Sequence, residues 1–217
     1  MPMASANDRP IVLAITGASG VPYGLRLLQQ LLAAGRHVHL IMSHAGAAVV
    51  TQETGIKVDL ENGDLDELLN TQLEYLGDAC ISDGVSIDSQ LSYEHCSDFM
   101  SPTASGSYLT DGMVICPCSG GTLSAVVTGA SRNLIHRAAE VHLKEKRNLV
   151  LVTRETPLSL VHIRNMELAV QAGAVVLPAS PGFYHGADSV GDLVDFVVAR
   201  ILDQLAVEND LSQRWGC

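Results

Sequence analysis

Short apolar runs alternate with longer helical patterns along this chain. Five apolar runs rich in β-branched residues predict strands, at residues 11–16, 38–42, 113–116, 149–153 and 174–177. Helical patterns follow most of them, and those at 21–34 and 159–172 each end at a glycine, as helices commonly do. This alternation predicts an α/β fold: a doubly wound, mainly parallel sheet with right-handed crossovers, Rossmann-like or flavodoxin-like, in three α/β/α layers.

A length of 217 residues suits a single domain of this kind, which we expect to span residues 1–217. We expect an N-terminal extension at 1–9 and a C-terminal tail at 207–217. Residues 56–110 break the alternation and predict an insertion, with an acidic helix at 64–77 and short edge strands. Within it, the stretch "SPTASGS" at 101–107 is a candidate mobile flap.

The composition narrows the possible partners. A net charge of −11 disfavours nucleic acid and anionic lipid, so an anionic ligand needs a few cations gathered locally. No apolar run reaches the roughly 20 residues that cross a bilayer, and five cysteines without a CxxC pair, together with the absence of a leader, predict the cytoplasm. Cys116 and Cys118 are expected to be structural thiols, and we expect no metal, although His37 and His39 alternate on one strand face.

A glycine-rich turn follows the first strand, in "AITGASGVPYG" at 14–24. Its glycines allow a ligand to approach the backbone, and the amides at the helix start suit an anion or a polar cofactor edge. An NAD site would need an acidic residue at the end of the second strand, where this chain has Ser43 and His44. The turn therefore favours a mononucleotide or another phosphorylated cofactor, with a turn that only packs helix on strand as the alternative.

A second loop of small residues begins the block "CSGGTLSAVVTGAS", just after the third predicted strand. Residues 119–122 present amides and hydroxyls at the carboxyl end of that strand, beside the first loop, so that both loops would line one pocket. A serine nucleophile is disfavoured because the chain has no G-x-S-x-G and no evident base nearby.

Charged residues mark a third candidate feature. Arg154 and Glu155 follow a strand directly, at the edge where open parallel sheets bind ligands. On the helix at 133–146, Arg137 and Lys144 share a face with Glu140. With Tyr184 and Arg200, these cations would hold a phosphate. The alternatives are a solvated loop pair at 154–155 and a solvated salt-bridge stripe on the helix.

Six blocks in order along the chain resemble the UbiX/Pad-type flavin prenyltransferases: "TGASG", "PCSGGTLSAVVTGAS", "LKEKRNLVLVTRETPL", "HIRNM", "GAVVLPASPGFYH" and "DLVDFVVARILD". The resemblance implies transfer of a dimethylallyl group from dimethylallyl phosphate to reduced FMN, at N5 and then C6, without a metal. The prenylated FMN would serve UbiD-type decarboxylases, as in ubiquinone biosynthesis. The family forms dodecamers, which implies a homo-oligomer whose sites combine neighbouring subunits.

The resemblance also implies residue roles. The residues expected to contact FMN are Gly17, Ala18, Ser19, Ser43, Ser119, Gly120, Gly121, Thr122 and Arg154. Those expected around the prenyl phosphate are Arg137, Lys144, Tyr184, Arg200 and Trp215. The expected catalytic set is Glu155 as the acid–base residue, Ser19 near N5, Glu53 as a second carboxylate near the flavin, and Lys144. Two positions depart from the family: Phe99 stands where tryptophan is common and Thr153 where proline is frequent.

Two other functions remain open at this point. An FMN-dependent cysteine decarboxylase would share the fold, but it would need a catalytic histidine and an asparagine–methionine motif where this chain has "PGFYH". A non-catalytic FMN carrier would keep the glycine and serine loops without a use for Glu155, Lys144 and Arg200.

Overall fold

The computed structural model describes residues 9–77, 79–213 and 216, and its centre is a parallel sheet of six strands. The strands are β1 Ile11–Ile15, β2 Val38–Met42, β3 Leu91–His95, β4 Gly112–Cys118, β5 Leu149–Thr153 and β6 Val175–Val176. Their order across the sheet is β3-β2-β1-β4-β5-β6. The chain moves outward from β1 in one direction and then continues from β4 in the other, so the sheet has its topological switch point between these two strands.

Helices cover both faces of the sheet. They are α1 Val21–Ala33, α2 His44–Thr54, α3 Asp66–Asn70, α4 Ile87–Gln90, α5 Gly120–Thr128, α6 Leu134–Lys144, α7 Leu160–Gln171 and α8 Val190–Gln204. Among the described residues, each helix is too short or too polar to cross a membrane.

Alternating side chains of the central strands supply two separate cores. In β1, Leu13 and Ile15 pack with α1 and α8, whereas Val12 and Ala14 pack with α5, α6 and α7. Every residue of β1 is fully buried, as expected for a parallel strand covered on both faces. The predicted doubly wound α/β architecture is confirmed.

The segment 56–110 differs from its prediction. A single acidic helix over 64–77 is wrong, because α3 ends at Asn70 and a 3₁₀ turn, Glu74–Leu76, follows. Between them Leu73 is extended and forms a bridge with Ala79, which leaves its side chain buried against the α1 face. The segment also contributes β3 as an edge strand in full register with β2. Short edge strands were expected in this segment, and β3 is one of them.

Close packing of α1 on β4 leads to a prediction about Gly24. A Cβ at this position would lie 2.5 Å from the carbonyl oxygen of Cys116, a backbone atom that cannot turn away. We expect Gly24→Ala to lower the free energy of unfolding by about 1–3 kcal/mol. Chemical denaturation measures this, with Gly191→Ala in α8 as the matched control because its Cβ would meet only ordinary contacts. Equal stability of the two variants would contradict the prediction.

The buried His142 predicts loss of stability in acid. Burial, with the charge of Arg147 adding to it, lowers the pKa of His142 from 6.5 to about 4. Its ring lies between the hydroxyl of Thr110 (2.8 Å from Nε2) and the carbonyl of Ala138 (2.7 Å from Nδ1). The unfolded chain therefore takes up a proton near pH 6.5 that the folded chain resists until about pH 4. Stability falls as pH drops through this window, by up to roughly 3 kcal/mol.

Denaturation between pH 7 and pH 4 measures that slope. We expect a shallower slope in His142→Gln and the wild-type slope in His37→Gln, whose imidazole is exposed. A wild-type slope in His142→Gln would show that other groups govern the acid response.

Candidate active site

The loop 17–20 joins β1 to α1 at the switch point, and Gly20 has a φ of 113°, which favours glycine. Glu53 reaches this loop from α2. Its carboxylate accepts hydrogen bonds from the amide of Gly20 (3.1 Å) and that of Val21 (2.9 Å). Glu53 therefore occupies the amides of Gly20 and Val21, which belong to the helix start that the sequence analysis expected to face an anion or a polar cofactor edge. Glu53 itself lies beside the predicted flavin loop.

The second loop offers a free helix N-terminus instead. The hydroxyl of Ser119 caps α5 by accepting from the amide of Thr122 (3.2 Å). In the described part of the chain nothing accepts a hydrogen bond from the amides of Gly120 and Gly121, and the space beside Gly121 is open. Thr16 accepts from the Ser119 amide (2.9 Å) and donates to a β4 carbonyl, which fixes this loop against β1. Two unoccupied amides at a helix start fit a phosphate.

Ser43 continues the row of small polar residues. It follows β2 and caps α2, where its hydroxyl accepts from the amide of Gly46 at 2.9 Å. Because β2, β1 and β4 are neighbours, Ser43, the loop 17–19 and the loop 119–122 form one line along the carboxyl edge of the sheet. The row is long, polar and rich in main-chain groups, as a flavin mononucleotide requires.

Arg154 and Glu155 lie at the carboxyl end of β5, as the sequence predicts. Arg154 extends across the end of β4, and its Nε donates to the carbonyl oxygen of Ser19 at 2.9 Å. Neither terminal nitrogen of its guanidinium forms a hydrogen bond with the residues that the structure describes. Glu155 is exposed and, among the described residues, accepts one hydrogen bond, from the amide of Thr156 at 3.3 Å. Both charged residues line a cavity of about 290 Å³.

Arg200 lies next to this cavity. It lines a second one, of about 300 Å³, which shares Pro178 and Ser180 with the first. Phe196 also lines the second cavity, and the ring of Tyr184 packs edge-on against the Phe196 ring, with ring centroids 5.6 Å apart. Arg200 forms an ion pair with Asp203 at 2.9 Å. One chain thus places Arg200 and Tyr184 at a cavity that adjoins the one lined by Arg154 and Glu155.

Arg137 and Lys144 lie elsewhere in the chain. Arg137 donates to the carbonyl of Ala104 and pairs with Glu140, both at 3.1 Å, while Lys144 pairs with Glu145. Lys144 ends α6 just before β5 begins, on the amino side of the sheet, whereas Arg154 follows the end of β5. Within a single chain Lys144 therefore lies away from Arg154, and the expectation that neighbouring subunits complete the phosphate site stays a prediction. Trp215 lies outside the described residues.

The cysteines behave as structural thiols. Cys116 and Cys118 are buried in β4, and burial raises the pKa of Cys118 to about 12 and that of Cys116 still further. Thiols this hard to ionise are poor nucleophiles and poor metal ligands.

Sequence analysis missed a cluster of His44, Glu61 and His95, because its members come from three separate segments. Their ligand atoms all lie within 4.8 Å of one another, with Glu61 Oε1 3.5 Å from His95 Nε2 and 3.7 Å from His44 Nε2. The amide of Ser97 donates to His95 Nδ1 at 3.2 Å, which leaves the proton of a neutral ring on Nε2, facing Glu61. The cluster thus makes polar contacts that connect the turn at 59–64 to β3 and to the start of α2.

Comparison with known proteins identifies the family. Residues 2–202 match the family model described as Flavoprotein. The flavin prenyltransferase UbiX of Pseudomonas aeruginosa is 50% identical over 206 residues, covering 95% of this chain and 93% of its own, and that of Halalkalibacterium halodurans is 44% identical over 204 residues, covering 94% and 92%.

Solved structures agree with these sequence matches. AnUbiX (PadA1), in complex with FMN and dimethylallyl pyrophosphate, has a TM-score of 0.81 and 36% identity over 97% of this chain and 98% of its own. A dodecameric FMN-dependent UbiX-like decarboxylase from Escherichia coli O157:H7 has a TM-score of 0.78 and 34% identity over 96% and 99%. The FMN-dependent cysteine decarboxylase TvaF, at 15% identity and a TM-score of 0.54, shares the fold alone. The chain belongs to the Flavoprotein family and, within it, to the flavin prenyltransferases of the UbiX type.

Proposed function

We propose that this chain, as one domain over 1–217, transfers a dimethylallyl group from dimethylallyl phosphate to reduced FMN. The observation that carries the proposal is the free N-terminus of α5 on the same sheet edge as Arg154 and Glu155. A phosphate bound at Gly120 and Gly121 leaves the row of polar loops to hold the rest of a flavin mononucleotide. Relatives named as flavin prenyltransferases support this function over a cysteine decarboxylase.

Reduced FMN supplies the nucleophilic N5 and C6 atoms. Arg154 contributes two NH2 groups that have no partner among the described residues and is held by the carbonyl of Ser19, so it is oriented before the flavin binds. Ser19, in the loop 17–20, is expected to present its hydroxyl near N5 of the flavin. Glu53 keeps this loop in place through the amides of Gly20 and Val21, so its carboxylate acts on loop geometry as well as on local charge.

Glu155 is suited to move a proton. Its carboxylate is exposed in the cavity and is not engaged in an ion pair with any residue in the described ranges. Bonding at N5 and at C6 would release two protons, and the double bond of the prenyl group would take up one of them when the ring closes at C6, so that one proton leaves overall. A carboxylate within reach can accept and return these protons. In the same reaction the bond between the dimethylallyl carbon and the phosphate oxygen breaks, and phosphate leaves with the bonding electrons.

Cations stabilise the departing phosphate. Arg200 lines the cavity that adjoins the Glu155 cavity in the same chain, and Tyr184 packs on Phe196 of that cavity. We infer that Arg137, Lys144 and Trp215 come from neighbouring subunits. The dodecameric structural relative supports such an assembly. Exposed apolar side chains on α7 supply surface for subunit contacts: Leu160, Val161, Ile163, Leu168 and Val170.

We place the protein in the cytoplasm and expect a UbiD-type decarboxylase to receive the prenylated FMN, as in ubiquinone biosynthesis. The bound donor of one structural relative is dimethylallyl pyrophosphate. For this chain we propose the monophosphate. Competition between the two donors tests that choice.

An anaerobic assay tests the whole proposal. The protein is loaded with FMN, reduced with dithionite and supplied with dimethylallyl phosphate, and the mass of the bound flavin is measured. A gain of one C5H8 unit is expected, because the donor loses phosphate and the flavin gives up a proton. Unmodified flavin in a fully loaded, intact oligomer would instead support an FMN carrier.

A further inference from the structure

A pair of polar groups is buried beneath the loop 101–108. Glu94 in β3 is 6% exposed, and its Oε1 lies 2.7 Å from His39 Nδ1 in the neighbouring strand β2. The hydroxyl of Thr103, in the loop, donates to the other carboxylate oxygen. A carboxylate this deeply buried needs partners on both oxygens to offset the loss of water. The loop supplies one of them.

The same pair also holds the far end of the loop. The hydroxyl of Tyr108 lies 2.8 Å from His39 Nε2, on the other side of the ring from Glu94. Burial, with the charge of Glu94 adding to it, raises the pKa of Tyr108, so its hydroxyl keeps its proton. Thr103 and Tyr108 are thus fastened to one buried centre, and the four residues between them span a fixed distance.

The opposite side of the loop faces the cations of α6 and the residues just after it. The carbonyl of Ala104 accepts from Arg137 at 3.1 Å, and the carbonyls of Gly106 and Tyr108 accept from Arg147 at 2.5 and 2.6 Å. A Cβ on Gly106 would lie 2.7 Å from Lys144 Nζ. The loop therefore lies directly against both proposed phosphate-binding residues of this helix.

We propose that Glu94 and His39 are positioning residues, which hold the loop 101–108 so that Arg137 and Lys144 are presented correctly to the prenyl phosphate. The proposal rests on the proposed function. The hydrogen bonds of Thr103 and Tyr108 to this buried centre are directional, so they fix the height of the loop, whereas apolar contacts would let it slide. Neither residue touches the substrate, and both act through the carbonyls of the loop.

Two pairs of variants in the full-length protein test this. Thr103→Val and Tyr108→Phe each remove one hydroxyl from the centre, and we expect each to raise KM for dimethylallyl phosphate by about 10-fold to 100-fold. The dissociation constant of FMN and the value of kcat should change far less. Thr103→Ser keeps the hydroxyl and should restore KM. Tyr93→Phe is the matched control, because its hydroxyl donates to Leu60, at 3.0 Å, away from the loop.

Three results would overturn the proposal: an unchanged KM, a KM raised equally in Tyr93→Phe, or FMN affinity lost in parallel. Calorimetric titration of FMN-loaded protein with dimethylallyl phosphate repeats the comparison without turnover. A wild-type protein that binds this donor but produces no prenylated flavin would refute the proposed function. The dissociation constant of the donor in each variant, relative to that in the wild type, would still test the positioning role. A wild type that does not bind the donor would refute both.

Discussion

Glu155→Gln is expected to lower turnover by about 10²-fold to 10⁴-fold, the range found for loss of a general acid–base group. Glutamine has the same size but cannot exchange the proton that carbon bonding at the flavin releases. The carboxylate accepts only one hydrogen bond in the described structure, from the neighbouring amide of Thr156, so folding and FMN binding should remain intact. Anaerobic turnover and fluorescence titration of FMN measure the two effects separately.

Glu208→Gln serves as the control, since Glu208 is also an exposed glutamate but follows α8 and does not line the cavity of Glu155. Its turnover should equal that of the wild type. If Glu155→Gln retained full turnover, the proton would have to go to another group or to water, and Glu155 would lose its assigned role.

The second large effect is expected from mixed oligomers. Lys144→Ala should raise KM for dimethylallyl phosphate by about 10-fold to 100-fold, because a charge-assisted contact to the phosphate is lost. Glu155→Gln is expected to be nearly inactive because it lacks the carboxylate that accepts the proton. In one chain Lys144 lies at the amino ends of the strands and Glu155 at their carboxyl ends, so we expect a complete site to take them from different subunits. Co-expression of the two variants should then restore about a quarter of the sites. These are the sites that take Lys144 from a Glu155→Gln chain and Glu155 from a Lys144→Ala chain.

Turnover at a donor concentration near the wild-type KM measures this restoration. Co-expression of two differently tagged Glu155→Gln chains is the control and should stay inactive. A mixed oligomer with no more activity than the average of its parent variants would show that each chain builds its own site. In that case Lys144 would have to move a long way within its own subunit.

Much of this protein follows from local sequence patterns. Continuous apolar runs with helical patterns between them require a sheet that is covered on both faces, so the α/β architecture is readable from order alone. Arg154 and Glu155 are also predictable, because residues that directly follow a parallel strand must lie at its carboxyl edge. The glycine and serine loops are placed by the same rule. These features depend on neighbours in the chain, and the physical constraint acts within a few residues.

Other features depend on which distant segments meet, and only the folded structure decides them. Glu53 occupies the amides at the start of α1, so the free anion site belongs to α5 instead. The sequence led us to expect short edge strands in the segment 56–110, but only the folded structure shows that β3 pairs with β2 and buries Glu94 against His39. Periodicity places Arg137 and Lys144 on one helix face, but it does not show which end of the sheet that helix reaches. Contacts of this kind join residues tens of positions apart, and their energies arise only once the chain is packed.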